Sequence, residues 1–138
     1  DVAVVGAGPA GLFAAHELTK RFGKNISIAL LDKGNNIQSR SCPSSTLKGS
    51  CADCEPCAVT DGVMGAGLKS DGKLHFHENV IELHRMGLVS AQETKQLLTY
   101  LEKLLETWGL NGRIYPLNPQ VATRLTQEVA ELGLPWCY

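Results

Sequence analysis

Long apolar runs are missing from this chain, and no segment reaches the roughly 18 residues needed to cross a bilayer. The one apolar opening, VAVVGAGPAGLFAA at residues 2–15, lacks a positive flank and is broken by glycines, so it does not read as a secretory leader. An excess of either charge is missing too. Thirteen Lys and Arg stand against 14 Asp and Glu, which leaves no basic stripe for nucleic acid and no polybasic patch for a membrane surface. Neither partner is expected, and the cytoplasm is the expected location. There is no initiator methionine and no internal repeat. A strand that begins at residue 1 or 2, and a terminal LPWCY that looks like the start of another, lead us to expect a fragment of a longer protein.

What is present suits one globular domain with a core: 43% of the 138 residues are hydrophobic and 20% charged. Val2 to Val5 is a short β-branched run closed by Gly6, the pattern of a buried parallel strand. A helix is predicted from about Pro9 to Arg21, with Leu12, Ala15, Leu18 and Phe22 on one face and Gly23 as its C-terminal cap. ISIALLD, residues 26–32, is the second strand. This order predicts an α/β class: a Rossmann-like, FAD/NAD(P)-binding βαβ unit with a right-handed crossover.

From Lys33 to Lys73 the chain turns to Gly, Ser, Asn, Cys and Pro without periodicity. A loop of that length needs an organiser, such as a cofactor or metal. Beyond it the pattern is helical. Asn79 with Glu82 and Ser90 with Glu93 have capping-box spacing, the second before a helix carrying Leu97, Leu101, Leu104, Leu105 and Trp108 on one face. A last helix is predicted from Asn118 and Pro119, burying Ala122, Leu125, Val129 and Leu132 and stopping at Gly133. Residues 1–77 are thus expected to form the nucleotide-binding part, and 78–138 an appended, mainly helical region.

The motif that carries chemistry is GAGPAG, residues 6–11. It fits G-x-G-x-x-G between a strand and a helix, and Asp32 ends the next strand about 20 residues on, as the dinucleotide fingerprint requires. Gly6 permits the tight turn, Gly8 lets backbone approach a pyrophosphate, and Gly11 lets helix and strand pack closely, so helix amides face the anion. Asp32 can accept hydrogen bonds from a ribose diol and would repel a 2′-phosphate. FAD and NAD share this fingerprint.

Resemblance separates them. DVAVVGAGPAGLFAAHEL followed by LLDKG resembles the adenine-binding segment of FAD-dependent oxidoreductases, although many of those carry Glu where Asp32 stands. RSCP, CADCEPC and GVMGAGLKSDGKL, in that order, resemble the bacterial and archaeal uncharacterised FAD-dependent dehydrogenases. The likeness covers most of the chain and is strongest over residues 1–74. It implies a flavoprotein that transfers hydride between a small-molecule substrate and flavin, with an unspecified second electron acceptor. It also implies that Gly6, Gly8, Pro9, Ala10 and Gly11 hold the FAD pyrophosphate, with Asp32 and Lys33 at the adenosine ribose. Arg40 falls where related flavoproteins often place a basic residue near the cofactor, solvent exposure being the alternative. Gly65 and Gly67, in GAGLKSDGK, either face the cofactor or belong to a turn before a strand KLHFH. The flavin-ring pocket must come from elsewhere.

Cys42, Cys51, Cys54 and Cys57 follow C-x8-C-x2-C-x2-C spacing, which permits a zinc or iron–sulfur shell. The C-x3-C-P step of the common bacterial cluster run is absent. A redox pair near the flavin, or plain thiols, are the other readings; Cys137 is expected in a core. His75 and His77 share a face of the predicted strand, as an acid or base at the flavin or as solvated side chains. Two rival functions stand beside the flavoprotein: an NAD-dependent dehydrogenase, and a non-enzymatic nucleotide-binding redox or metal sensor.

Overall fold

Two short strands, β1 (Val2–Val5) and β2 (Ile28–Leu31), lie parallel with Val2 opposite Ile28 and Val5 opposite Leu31. The helix α1 (Pro9–Phe22) connects them. The computed structural model describes residues 1–47, 49–69, 72–76, 83–112 and 116–133. The α/β, Rossmann-like class expected from the sequence is what the chain forms: a strand, a helix packed on both strands, and a parallel second strand.

The period-2 pattern of β1 sorts its side chains by face. Val2 and Val4 are half-buried while Ala3 and Val5 are exposed, and across the pair Ile28 is half-buried and Leu31 exposed. On α1, Leu12, Ala15 and Leu18 are half-buried, as the helical spacing predicts. Covering a leucine to that degree contributes on the order of 1 kcal/mol. Phe22 departs from the expected face: it is exposed, with the Arg21 guanidinium 5.8 Å from its ring centre. Gly23 closes α1 at φ +56°, a conformation a Cβ would strain, and its N–H donates to the Thr19 carbonyl.

The stretch expected to be an unstructured loop has order of its own. It contains a 3-10 turn at Ile37–Ser39, a short helix α2 (Pro43–Leu47) and a second 3-10 turn at Ala66–Lys69. No strand forms over Lys73–Phe76, so the predicted KLHFH strand is not made by its described residues, and His75 is exposed. His77 lies outside the described residues.

The chain divides into two compact units, Asp1–Lys73 and Leu74–Tyr138, a boundary slightly before the expected 77/78. In the second unit, α3 (Ala91–Thr107) opens with the predicted capping box. The Ser90 hydroxyl accepts from Glu93 N–H at 3.2 Å, and a Glu93 carboxylate oxygen accepts from Ser90 N–H at 2.8 Å. Its buried seam differs from the leucine face read in the sequence. Thr94 and Leu98 are buried and Leu101 and Leu105 half-buried, whereas Leu97 and Trp108 are more than half exposed. Thr94 can sit in that seam because its hydroxyl donates to the Ser90 carbonyl at 3.0 Å, which removes the cost of burying it.

The helix α4 (Pro119–Glu131) is capped by the Asn118 side chain, which accepts from the N–H groups of Gln120 and Val121. Ala122, Thr126 and Val129 are its half-buried positions, while Leu125 and Leu132 are exposed. The Asn79/Glu82 box and residues 134–138, including Cys137, lie outside the described residues. Among the described residues no helix is long and apolar enough to cross a membrane.

The capping box yields the first prediction. Ser90→Ala removes the acceptor for Glu93 N–H and is expected to cost about 1 kcal/mol of helix stability. Thermal unfolding followed by far-ultraviolet circular dichroism measures it, and an unchanged midpoint would show that the box does not hold α3.

Candidate functional site

The turn from β1 into α1 is built by its glycines. Gly6 N–H donates to the Leu31 carbonyl at 2.7 Å, tying the turn to the end of β2, and Gly6 adopts φ +100°, which only glycine enters freely. A Cβ on Gly11 would fall onto the Gly6 carbonyl oxygen, so close packing of helix and turn needs glycine there. Gly8 is different. Its backbone is extended, at φ −71° and ψ −179°, and a Cβ there would meet no atom within 4 Å. No fold constraint therefore demands glycine at this position, and the empty space beside it is room for something outside the chain.

The N-terminus of α1 reinforces the point. Gly8 supplies no side-chain cap, Pro9 has no N–H, and the first turn carries no acid. Helix amides at this end have no capping side chain, so the positive end of the helix dipole is left to attract an anion.

Asp32, one residue past β2, clasps this turn. One carboxylate oxygen accepts from Ala7 N–H at 2.7 Å and the other from Gly34 N–H at 2.8 Å. Ala7 is almost completely buried. These bonds to the charged form, Gly34 first and Ala7 next, hold the Asp32 carboxyl below its ordinary value. Each carboxylate oxygen has two lone pairs, so acceptor capacity remains for a ribose hydroxyl.

The loop after β2 is organised by Arg40. It is 2% exposed, and its guanidinium donates to four main-chain carbonyls: Ala58 at 3.0 Å, Val63 at 2.7 Å, Gly65 at 2.8 Å and Val59 at 2.7 Å. Four of the five donors on this side chain are thus spent on the loop itself. The solvated alternative does not describe that position. Arg40 is the organiser that the length of the loop called for.

Backbone contact completes the arrangement. Val63 N–H donates to the Asn35 carbonyl at 3.1 Å, and Met64 N–H to the Ala7 carbonyl at 2.8 Å. A Cβ on Gly34 would collide with the backbone of Asp61 and Gly62, and one on Gly62 with the Asn35 carbonyl. Residues 34–35 and 61–63 therefore pack main chain to main chain, and residues 64–65 press on the glycine turn. Gly65, at φ +63°, sits against Gly8 and Pro9.

Between these parts lies a cleft of about 570 Å³, lined by Val5, Gly6, Gly8, Leu31, Asp32, Lys33, Thr60, Asp61, Gly62 and Gly65. That volume is within the range of small-molecule sites. Of the residues singled out in the sequence, Gly6, Gly8, Asp32, Lys33 and Gly65 line it. Pro9, Ala10 and Gly11 form the first turn of α1. Gly67 stands apart, in the exposed 3-10 turn. Lys33 is paired: its Nζ is 2.9 Å from Asp61 Oδ2, which raises the lysine above its ordinary value and lowers the aspartate. Thr60, Asp61 and Gly62 were missed by sequence reasoning. Asp-Gly is a turn dipeptide and marks the place, but nothing local in it points to the cleft.

The cysteines do not converge. Among the described residues, no group of three or more His, Cys, Asp or Glu side chains is placed to hold a metal ion. Cys42, Cys51, Cys54 and Cys57 are all free thiols, with Cys51 and Cys54 exposed. The zinc or iron–sulfur shell allowed by their spacing is not assembled. Cys57 is drawn instead into a tight turn: Asp61 N–H donates to its carbonyl at 2.8 Å, and its own N–H to Asp61 Oδ2 at 3.1 Å. Thr60 N–H, then Val59 N–H, favour its thiolate and lower its pKa.

A parallel strand–helix–strand with a glycine turn, an uncapped helix N-terminus and an acid at the end of the second strand defines a Rossmann-like nucleotide-binding unit. Residues 4–59 match the family model described as NAD(P)-binding Rossmann-like domain. No curated protein and no solved structure matches the chain.

Two predictions follow from these clasps. Arg40→Met would strand carbonyls that now share a buried donor, and Arg40→Lys cannot reproduce the fork, so each is expected to destabilise the first unit by about 2 kcal/mol or more. A wild-type thermal midpoint for Arg40→Lys would show that charge alone suffices. Asp32 contributes to acid behaviour. Because its folded-state pKa is depressed, its contribution is complete above the ordinary aspartate value and is lost as pH falls from there through the folded value. Asp32→Asn should therefore flatten the acid limb of a plot of midpoint against pH, while an unaltered limb would assign acid sensitivity elsewhere.

Proposed function

We propose that the cleft binds the adenosine diphosphate half of a dinucleotide, FAD in our reading, and that the chain is part of an FAD-dependent oxidoreductase acting on a small molecule. The observation that carries this is Gly8. Its side-chain position opens on empty space at the uncapped start of α1, although its backbone would admit any residue. A pyrophosphate fits there, facing helix amides, with the Asp32 carboxylate nearby to accept from ribose hydroxyls.

The choice of FAD rests on the likeness of residues 1–18 and 30–34 to flavoprotein sequences. When bound, FAD supplies hydride acceptance and donation at its flavin ring. The residues of this chain do the holding. Main-chain N–H groups at the start of α1 neutralise the pyrophosphate, Asp32 orients the ribose, and the segment held by Arg40 brings Gly65 against the turn. The second reading, NAD in place of FAD, is favoured by the description of the matching family model.

The test uses the full-length protein. A yellow product with flavin absorbance is expected, and a colourless protein that binds NAD overturns FAD in favour of the second reading. Gly8→Val is expected to lower dinucleotide affinity at least about tenfold, a loss of roughly 1.4 kcal/mol or more, while the thermal midpoint stays near wild type. Undiminished occupancy in that variant would refute dinucleotide binding at this turn.

A further inference from the structure

We infer that Asp61 sets the ligand class of the cleft: by holding Lys33 it leaves the ribose end suited to a free 2′,3′-diol and closed to a 2′-phosphate. This rests on the dinucleotide reading above and adds to it a residue outside the fingerprint. Asp32, Lys33 and Asp61 line the same cleft and, among the described residues, carry its formal charges, two negative and one positive. Lys33 is the one cation among the described lining residues, and it directly follows the strand-end acid. A phosphomonoester of about −1.5 to −2 charge on the 2′ oxygen would need that cation.

Lys33 is already paired. Its Nζ lies 2.9 Å from Asp61 Oδ2, and the two partners differ in exposure, 67% for the lysine side chain against 18% for the aspartate. The acid is the fixed member. Asp61 Oδ2 also accepts from Cys57 N–H at 3.1 Å, Oδ1 accepts from the Thr60 hydroxyl at 3.3 Å, and Asp61 N–H donates to the Cys57 carbonyl. The lysine is drawn to the aspartate, not the reverse. Ribose hydroxyls, which donate to carboxylates, lose nothing by this arrangement. A 2′-phosphate meets a net negative site whose cation is already engaged.

The experiment compares adenosine 5′-monophosphate with adenosine 2′,5′-bisphosphate, which differ only at the 2′ oxygen, on the full-length protein freed of bound nucleotide. Wild type is expected to prefer the monophosphate at least about tenfold. Asp61→Asn keeps the side-chain shape and an acceptor for Cys57 N–H but releases Lys33. It should shrink the preference about tenfold, and adding Lys33→Met should restore it. Lys33→Met alone removes only the exposed partner of the pair, keeps every hydrogen bond between Asp61 and Cys57 or Thr60, and should widen the preference, so the inference stays testable even if the Asp61 variant folds poorly.

A preference unchanged in Asp61→Asn or in Lys33→Met, in protein that binds the monophosphate, overturns the role of Asp61 and leaves the dinucleotide reading standing. Wild type that binds neither nucleotide refutes both.

Discussion

One guanidinium against four carbonyls holds this site together. Arg40 reaches from the loop after β2 into the turns at residues 58–65 and satisfies oxygens that would otherwise lie unpaired. Those turns supply Thr60, Asp61, Gly62 and Gly65 to the cleft, so four of its ten lining residues depend on a side chain that does not line it. A long loop without periodicity costs conformational entropy at every residue. Arg40 concentrates the compensation at one point.

Asp32 is the complementary node. Arg40 gathers the loop, and Asp32 joins it to the older part of the fold by accepting from Ala7 on one side and Gly34 on the other. Ala7 is shared further, since its carbonyl accepts from Met64. The glycine turn is therefore held from β2, from the start of the loop and from its end. A phosphate-binding turn works best when its amides are already aimed, and these three ties preorganise the backbone without occupying the space at Gly8.

Local features were the legible ones. The β-branched run of β1, the apolar spacing of α1, the glycine fingerprint, the acid at residue 32 and the Ser90/Glu93 box all declare themselves within a few residues of sequence, and apart from Phe22 each is where the pattern puts it. What escaped depends on contacts between distant positions. Nothing near Arg40 reveals that its partners lie 18 to 25 residues away. Asp61 reaches the cleft only because Gly34 and Gly62 let two backbones touch. On α3, counting leucines selected Leu97 over Thr94, since a hydroxyl satisfied by the preceding turn is invisible to a hydrophobicity pattern. The cysteines differ: their spacing is local, but convergence on one ion is a property of the folded loop.

The two fastenings of that loop differ in kind. Arg40 is buried and bonded to carbonyl dipoles, whereas the pair of Lys33 and Asp61 stands at the rim with its lysine two-thirds exposed. Dissolved ions screen the second and barely reach the first. Ionic strength thus separates what the sequence places side by side: in strong brine the cleft keeps its walls while its rim loosens, so the pairing of Lys33 is more fragile toward salt than the architecture.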